Sequence, residues 1–362
     1  MKKIVLFATF ILSSLFADGL TGVTYFEFSD DNFNLTRTYF TYKNTISEQL
    51  SYKFQTDVGQ VGDDRLSAYL KKAQLDWKLS NNMKISMGLI GLNMFNIQEK
   101  TWGNRFVAKS AMDANKWSHS ADLGVSLAND FGSVTANLMM TNGEGYKNTS
   151  ELDNNSKISL QLLYGEKRLD KNNGYNVGLV HSSIKSDGMA GNLGEDVTTA
   201  VWTECDGVDD PVEGCTEDGG YWDSVTTTVG ASDEVPETDT SVMGLFGGWS
   251  NTNIVVGAEY NTMDVSFANS DEDVSSKLTS IYANYIIRNN LSAFARIDSS
   301  DPSTKTDKDE TNTTIVGFIW SPINGLTISP NIQIVDSYIL NDNDKIVSNS
   351  EDTFSVNFQF KF

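Results

Sequence analysis

The feature that most limits what this chain can fold into is a two-residue alternation of apolar and polar side chains, repeated from segment to segment. In the last segment Phe354, Val356, Phe358, Phe360 and Phe362 alternate with Ser355, Asn357, Gln359 and Lys361. A period of two places successive side chains on opposite faces of a strand. This strand therefore has one wholly apolar and one wholly polar face. Leu50, Tyr52, Phe54 and Val58 stand against Ser51, Lys53, Gln55 and Asp57 in the same way. So do Tyr69, Ala73, Leu75, Trp77 and Leu79 against Lys72, Gln74, Asp76 and Lys78. Lys71 interrupts that last pattern and reads as an interfacial residue whose stem snorkels along apolar surface.

Sixteen such segments run from residues 20–28 to residues 352–362, with connections that alternate in kind. Every second one is short: Ser80 to Asn82, Asn129 to Gly132, Asp170 to Gly174, Asn251-Thr252, Arg288 to Asn290 and Ser321 to Gly325. Between them lie mostly longer polar stretches at 91–118, 143–155, 186–239, 266–275, 300–310 and 337–351. An even number of strands joined by short turns at one end and long loops at the other is the rhythm of a transmembrane antiparallel barrel. After Ala17 no apolar stretch approaches 18 residues, so the expected crossing is by strands and not by a helix. Lipid forces closure, because each backbone amide must be satisfied internally. Apolar side chains then face lipid and polar ones a wet lumen, the reverse of a soluble barrel. Tyr25, Tyr39, Tyr42, Trp77, Trp249, Tyr260, Tyr285, Trp320 and Phe362 sit near strand ends, where interfacial aromatic girdles belong.

Met1-Lys2-Lys3, the apolar run Ile4–Phe16 and then Ala17-Asp18 have the form of a secretory signal. The expected division is a signal peptide at 1–17 and a barrel at 18–362. Losing Lys2 and Lys3 takes the net charge from −21 to −23, an acidity that argues against nucleic acid as a partner. Cys205 and Cys215 share one polar segment, and in an oxidising compartment they are expected to form a disulfide. No ligand set around them suggests zinc, and no cofactor is implied. His119 and His181 fall in different strands, without a nucleophile-elbow serine beside either, so enzymatic activity is not expected.

Glu99-Lys100-Thr101-Trp102-Gly103-Asn104-Arg105-Phe106, then Lys109-Ser110, Asp113 and Ser120-Ala121-Asp122-Leu123-Gly124-Val125, resembles Gram-negative outer-membrane porins related to the phosphate-selective group. Asn142-Gly143-Glu144-Gly145-Tyr146 is similar to a short motif of the same proteins, and the terminal Phe362 resembles their assembly signal. The resemblance implies a passive pore for small hydrophilic solutes and ions in the outer membrane of a Gram-negative bacterium, usually a homotrimer. Its expected partners are outer-membrane lipid, lipopolysaccharide and the barrel-assembly machinery. It also implies that the third outer loop, here 91–118, folds inward to narrow the pore. The chain departs from the phosphate-selective members in its outer loops, which are acidic where theirs are basic.

Channels select through the charges along their narrowest water path. The expected constriction carries Lys100, Arg105, Lys109 and Lys116 against Glu99 and Asp113, a local +2 from four minus two. Alternation puts Arg37, Lys53, Lys72, Lys78, Lys84 and Arg296 on the lumen wall, opposed by Asp57, Asp76, Asp122, Glu259 and Asp298. That balance leans slightly towards anions, or else serves only to keep the lumen wet and the loop oriented. The segment from Asp187 to Asp239 holds fifteen acidic residues and no Lys or Arg. It lacks the apolar periodicity of a strand pair over most of its length and reads as one long outer loop. Either it binds divalent cations that bridge to lipopolysaccharide, or it is a solvated, self-repelling loop. The alternative to an open pore is a plugged or structural surface barrel, an adhesin acting through that acidic loop.

Overall fold

The computed structural model describes residues 19–61, 65–147, 155–187, 195–204, 220–229, 237–268, 273–306, 308–340 and 346–362. The expected signal peptide at 1–17 and the pair Cys205 and Cys215 lie outside those residues.

The described residues form eighteen strands: β1 (Leu20–Ser29), β2 (Asn32–Thr45), β3 (Leu50–Val61), β4 (Arg65–Lys78), β5 (Met83–Gly91), β6 (Ala121–Asp130), β7 (Val134–Thr141), β8 (Lys157–Gly165), β9 (Gly174–Ser186), β10 (Glu195–Glu204), β11 (Gly220–Val229), β12 (Thr238–Ser250), β13 (Ile254–Phe267), β14 (Val274–Arg288), β15 (Leu291–Asp301), β16 (Thr311–Ile323), β17 (Leu326–Leu340) and β18 (Ile346–Lys361). Sixteen of them close into one antiparallel barrel, each paired with its sequence neighbour except at two places. β1 pairs with β18, with Val23 opposite Lys361, and this seam closes the ring. β9 pairs directly with β12, with Gly174 opposite Ser250.

The strands skipped at that second place, β10 and β11, form a separate two-stranded sheet outside the ring. The connection 186–239, read as one long loop without a strand pair's periodicity over most of its length, thus contains a pair of strands. Its Thr- and Val-containing runs, Thr198-Thr199-Ala200-Val201 and Val225-Thr226-Thr227-Thr228-Val229, pair as a hairpin. β-branched residues favour strands even without a lipid-facing alternation.

Outward faces carry the apolar side chains. On β6, Leu123, Val125 and Leu127 are exposed while Asp122 and Ser126 point inward and are buried. On β12, Met243 and Leu245 are exposed on either side of a buried inward position. Trp77, Trp249, Tyr260, Tyr285, Trp320 and Phe362 are exposed. Tyr25 and Tyr39 are not part of this outer set, since both line a cavity inside the barrel. Each falls on the inward parity of its strand.

Lys71 is not interfacial either. The β3–β4 ladder pairs Gln55 with Lys72 and then Thr56 with Leu70, leaving Lys71 as the extra residue of a β-bulge. The bulge turns two successive lysines, Lys71 and Lys72, towards the lumen, and both line the same cavity. At the β1–β2 connection Asp30 and Asp31 both have positive φ, 50° and 61°. This is the two-residue hairpin geometry that suits the right-handed twist of strands. One connection on the long-loop rim is thus a tight turn.

Candidate functional site

Between β5 and β6 the chain leaves the wall and enters the barrel. It forms helix α1 (Asn96–Trp102) and the single turn α2 (Ala111–Ala114). Ile97, Gln98, Thr101 and Trp102 are the buried residues of α1 and lie along one side of it. The helix stops at Gly103, whose φ of 76° is the left-handed geometry glycine adopts freely, with its N–H donating to Glu99 O.

The buried side of α1 docks on the far wall. Trp102 packs edge-on against Tyr282 of β14 and Phe294 of β15, with ring centroids 5.5 Å and 5.6 Å away. Asn284 donates to Trp102 O at 3.1 Å, and the Tyr282 hydroxyl donates to Gln98 O at 3.2 Å. Arg296 donates to Lys109 O at 2.5 Å. Full burial of a tryptophan is worth about 4–6 kcal/mol at ~25 cal/mol per Å², an upper figure because the unfolded chain already hides some area. At the loop's start, Gln161 donates to Asn96 Oδ1 at 2.8 Å and Ser159 to Asn93 Oδ1 at 2.9 Å.

This docking divides the barrel interior into two halves. Along β8, β9, β12 and β14 the inward residues Leu163, Val180, Val242, Phe246 and Leu278 are apolar and buried with Met94, Phe95, Ile97 and Met112 of the loop. Along β2 to β6 the inward residues include Thr41, Lys53, Gln55, Lys72, Gln74, Ser86 and Ser126, and these line a cavity of about 530 Å³. One half is dry and filled, the other polar and hollow. A second cavity, of about 490 Å³, lies towards the long-loop rim between β2 and the returning limb of the loop. Tyr25 and Arg105 line both cavities and so mark the boundary between them. The Tyr39 hydroxyl lies beside Arg105 at the same level.

The six expected constriction residues separate into distinct environments. Arg105 pairs with Glu99 and, at 2.5 Å, with Asp113. This cluster carries a net −1 (one cation, two carboxylates), so Arg105 is not the free positive charge its sequence position suggests. Burial alone would lower the guanidinium pKa, but the two carboxylates outweigh burial and hold it well above its ordinary value. Lys100 lines the larger cavity and Lys109 the smaller. Lys116 is exposed, in a left-handed residue just after α2, and lines neither. The Lys100 pKa is lowered, first by burial and then by repulsion from Arg168.

Wall residues also divide. Lys53, Lys72 and Lys84 line the larger cavity, and Lys84 pairs with Asp76 at 3.2 Å. Arg37 pairs with Asp57 at 3.3 Å. Lys78 is exposed at the short-turn rim. Asp122 holds a backbone turn, accepting from Leu123 N–H at 2.8 Å and Gly143 N–H at 2.5 Å. Glu259 and Arg296 have the right parity for the lumen but are 3% and 2% exposed. They are covered by the docked loop, Glu259 held by Asn261 at 3.0 Å and Arg296 by a two-bond fork to Asp298. Strand periodicity assigns a face and cannot show what lies on top of it.

Sequence reasoning missed Tyr25, Tyr39, Lys71 and Tyr146, all of them inward. It also missed the dry wall, for which a signal existed. Strands with apolar residues at both parities, such as Val242-Met243 and Leu245-Phe246, have nothing to gain from facing water on one side.

No family model matches the chain, and no curated protein matches it. Solved structures do. OmpT of Vibrio cholerae, an outer-membrane protein, is similar with a TM-score of 0.61 and 10% identity, covering 95% of this chain and 97% of its own. It also matches in a trimer form. The anion-selective porin from Comamonas acidovorans gives a TM-score of 0.60 at 10% identity, covering 95% and 98%. OmpF of Salmonella typhi gives 0.58 at 11%, covering 95% and 97%. At such identities the likeness is one of fold. It shows the closed sixteen-stranded barrel and says nothing of a phosphate-selective group.

Proposed function

We propose that the chain is a passive outer-membrane channel for small hydrophilic solutes and ions, with a lean towards anions at its throat. The single observation that carries this reading is the polar cavity beside the docked loop. Among the described residues, Lys53, Lys72 and Lys100 line it without joining any of the ion pairs found. Three cations outside any ion pair outweigh the net −1 of the Arg105 cluster on the same water path and raise the local concentration of anions, and low-dielectric walls strengthen the effect. Hydrogen-bonding side chains such as Gln55, Gln74 and Thr41 complete a lining that a hydrated solute can follow.

Its place is the outer membrane of a Gram-negative bacterium, where lipid meets the exposed apolar band. A homotrimer is the assembly we favour, supported by the trimer form of the OmpT neighbour. Assembly would begin from a secreted precursor cleaved after Ala17 and would use Phe362 in the barrel-assembly step. Contact of the acidic segment 186–239 with divalent cations and lipopolysaccharide, and a Cys205–Cys215 disulfide, belong to the same reading.

Reconstitution in a planar bilayer tests it. Ohmic steps and a reversal potential on the chloride side in a potassium chloride gradient are expected. A folded barrel giving no steps would instead favour the plugged surface barrel, and a potassium-side reversal would remove the anion lean.

A further inference from the structure

After β7 the chain makes a second, smaller entry into the lumen. Gly143 and Gly145 have φ of 101° and 79°, and the turn they allow sends Tyr146 inward towards β3 and β4. Backbone bonds hold its base, with Asn142 N–H donating to Leu123 O and Tyr146 N–H to Ala121 O. The tip reaches β3, four strands round the ring from β7, where the Tyr146 hydroxyl donates to Asp57 Oδ2 at 2.7 Å. Asp57 is 0% exposed and also takes Arg37 at 3.3 Å and Lys71 at 3.5 Å. The Lys71 ammonium lies over the Tyr39 and Tyr146 rings, 4.7 Å and 5.1 Å from their centroids. Tyr69 meets Tyr146 edge-on, and Lys147 caps Tyr69.

We propose that Asp57 is the residue that limits the channel's anion preference and that it also latches the 142–147 loop to β3 through Tyr146. One buried carboxylate compensates two lumen cations, Arg37 and Lys71, leaving Lys53, Lys72 and Lys100 as the uncompensated set. The bulge at Lys71 is what brings the second cation to it. Because a carboxylate here accepts from a phenol as well as from cations, charge balance and loop position share one atom group. This inference rests on the channel reading above and concerns residues outside the docked loop.

The test is a bilayer comparison of the full-length wild type with Asp57→Asn, Tyr146→Phe, Lys71→Met and the double variant Asp57→Asn/Lys71→Met, each shown folded by a heat-modifiable gel shift. Asp57→Asn removes a negative charge and should raise the chloride-to-potassium permeability ratio by about a factor of two or more. Lys71→Met should lower it, and the double variant, which loses one charge of each sign, should return close to the wild type. Tyr146→Phe keeps every charge, so its reversal potential should stay put while open-channel noise rises as the loop is released. If Asp57→Asn does not fold, the Lys71→Met and Tyr146→Phe predictions still decide. An unchanged ratio in Asp57→Asn or Lys71→Met, or a quiet Tyr146→Phe channel, would overturn the proposal and leave the channel reading standing. A wild type that gives no steps would take down both.

Discussion

Arg296 on the far wall lies over the Trp102 ring of the inserted loop, its guanidinium carbon 5.2 Å from the ring centroid. The same side chain donates to Lys109 O on the returning limb, so one wall residue touches both ends of the loop's central stretch. Replacing it by alanine removes a cation–π contact worth about 0.5–2 kcal/mol and strips Asp298 of a nearly buried partner. Loss of such a pair costs about 3–5 kcal/mol. Arg296→Ala should therefore lower the temperature of the heat-modifiable gel transition and give a noisier channel of higher conductance. Lysine should not rescue it, having neither the fork that grips Asp298 nor the flat face that stacks on Trp102.

Charge changes along the throat should have unequal effects. Lys100→Glu and Lys72→Glu act on the cavity itself and should move the reversal potential towards potassium. Lys116→Glu changes the net charge by the same amount but lines neither cavity, and over about a Debye length of 10 Å salt screens it. Equal shifts from all three would mean that the hollow half is not the water path.

The lowered pKa of Lys100 gives the proposed anion preference a pH dependence. An ammonium is charged below its pKa and neutral above it. Burial and the nearby Arg168 shift this loss of charge below the ordinary lysine value of 10.5. The chloride preference should therefore fall as pH rises towards that value, and the fall should begin before an ordinary lysine would lose its proton. Lys100→Arg, which stays charged throughout, should flatten the curve. Reversal potentials between neutral and alkaline pH measure this directly.

Lipid outside the barrel is tested by Leu245→Arg. Leu245 is exposed at the middle of β12, and an arginine on the lipid face near the bilayer midplane costs about 2–4 kcal/mol. Arginine in place of Thr41, on the wet lumen wall, should be tolerated. Folding yield into lipid vesicles compares the two, and equal yields would contradict the assignment of faces.

How much of this could be read from the chain depended on whether a single strand carried the information. The sixteen barrel strands were legible because each one states its own two faces, as Phe354 to Phe362 does. The docked loop was legible in position and charge count, but not in its pairing. Arg105 finds Glu99 and Asp113 only once the loop has turned twice. Arg296 and Glu259 had the correct parity and the wrong surroundings, since their cover comes from a segment nearly two hundred positions earlier. Lys71 failed for a local reason, because one extra residue in a ladder reverses the parity on which face assignment rests. The hairpin β10–β11 was missed because its strands lack the alternation used to find the others.

The seam residues give a further expectation. A Cβ built on Gly22 would fall 2.0 Å from the Phe362 ring. Gly22 and Phe362 also exchange backbone hydrogen bonds, at 3.0 Å and 3.1 Å. Gly22→Val must push the terminal ring aside, and overpacking of this kind costs about 1–3 kcal/mol. Slower and less complete conversion to the folded gel band is the expected result.

That meeting of Val23 with Lys361 also sets an order of events. The contact joins the first strand of the ring to the last, so it cannot exist until β18 has been made, and a ring missing β18 would present raw edges on both β1 and β17. Neighbouring hairpins can zip early and cheaply, whereas the joining of first strand to last is the most distant pairing the molecule makes and belongs among its slowest steps. Deletion of β18 should hence be felt not as a local defect but as a cylinder that never shuts.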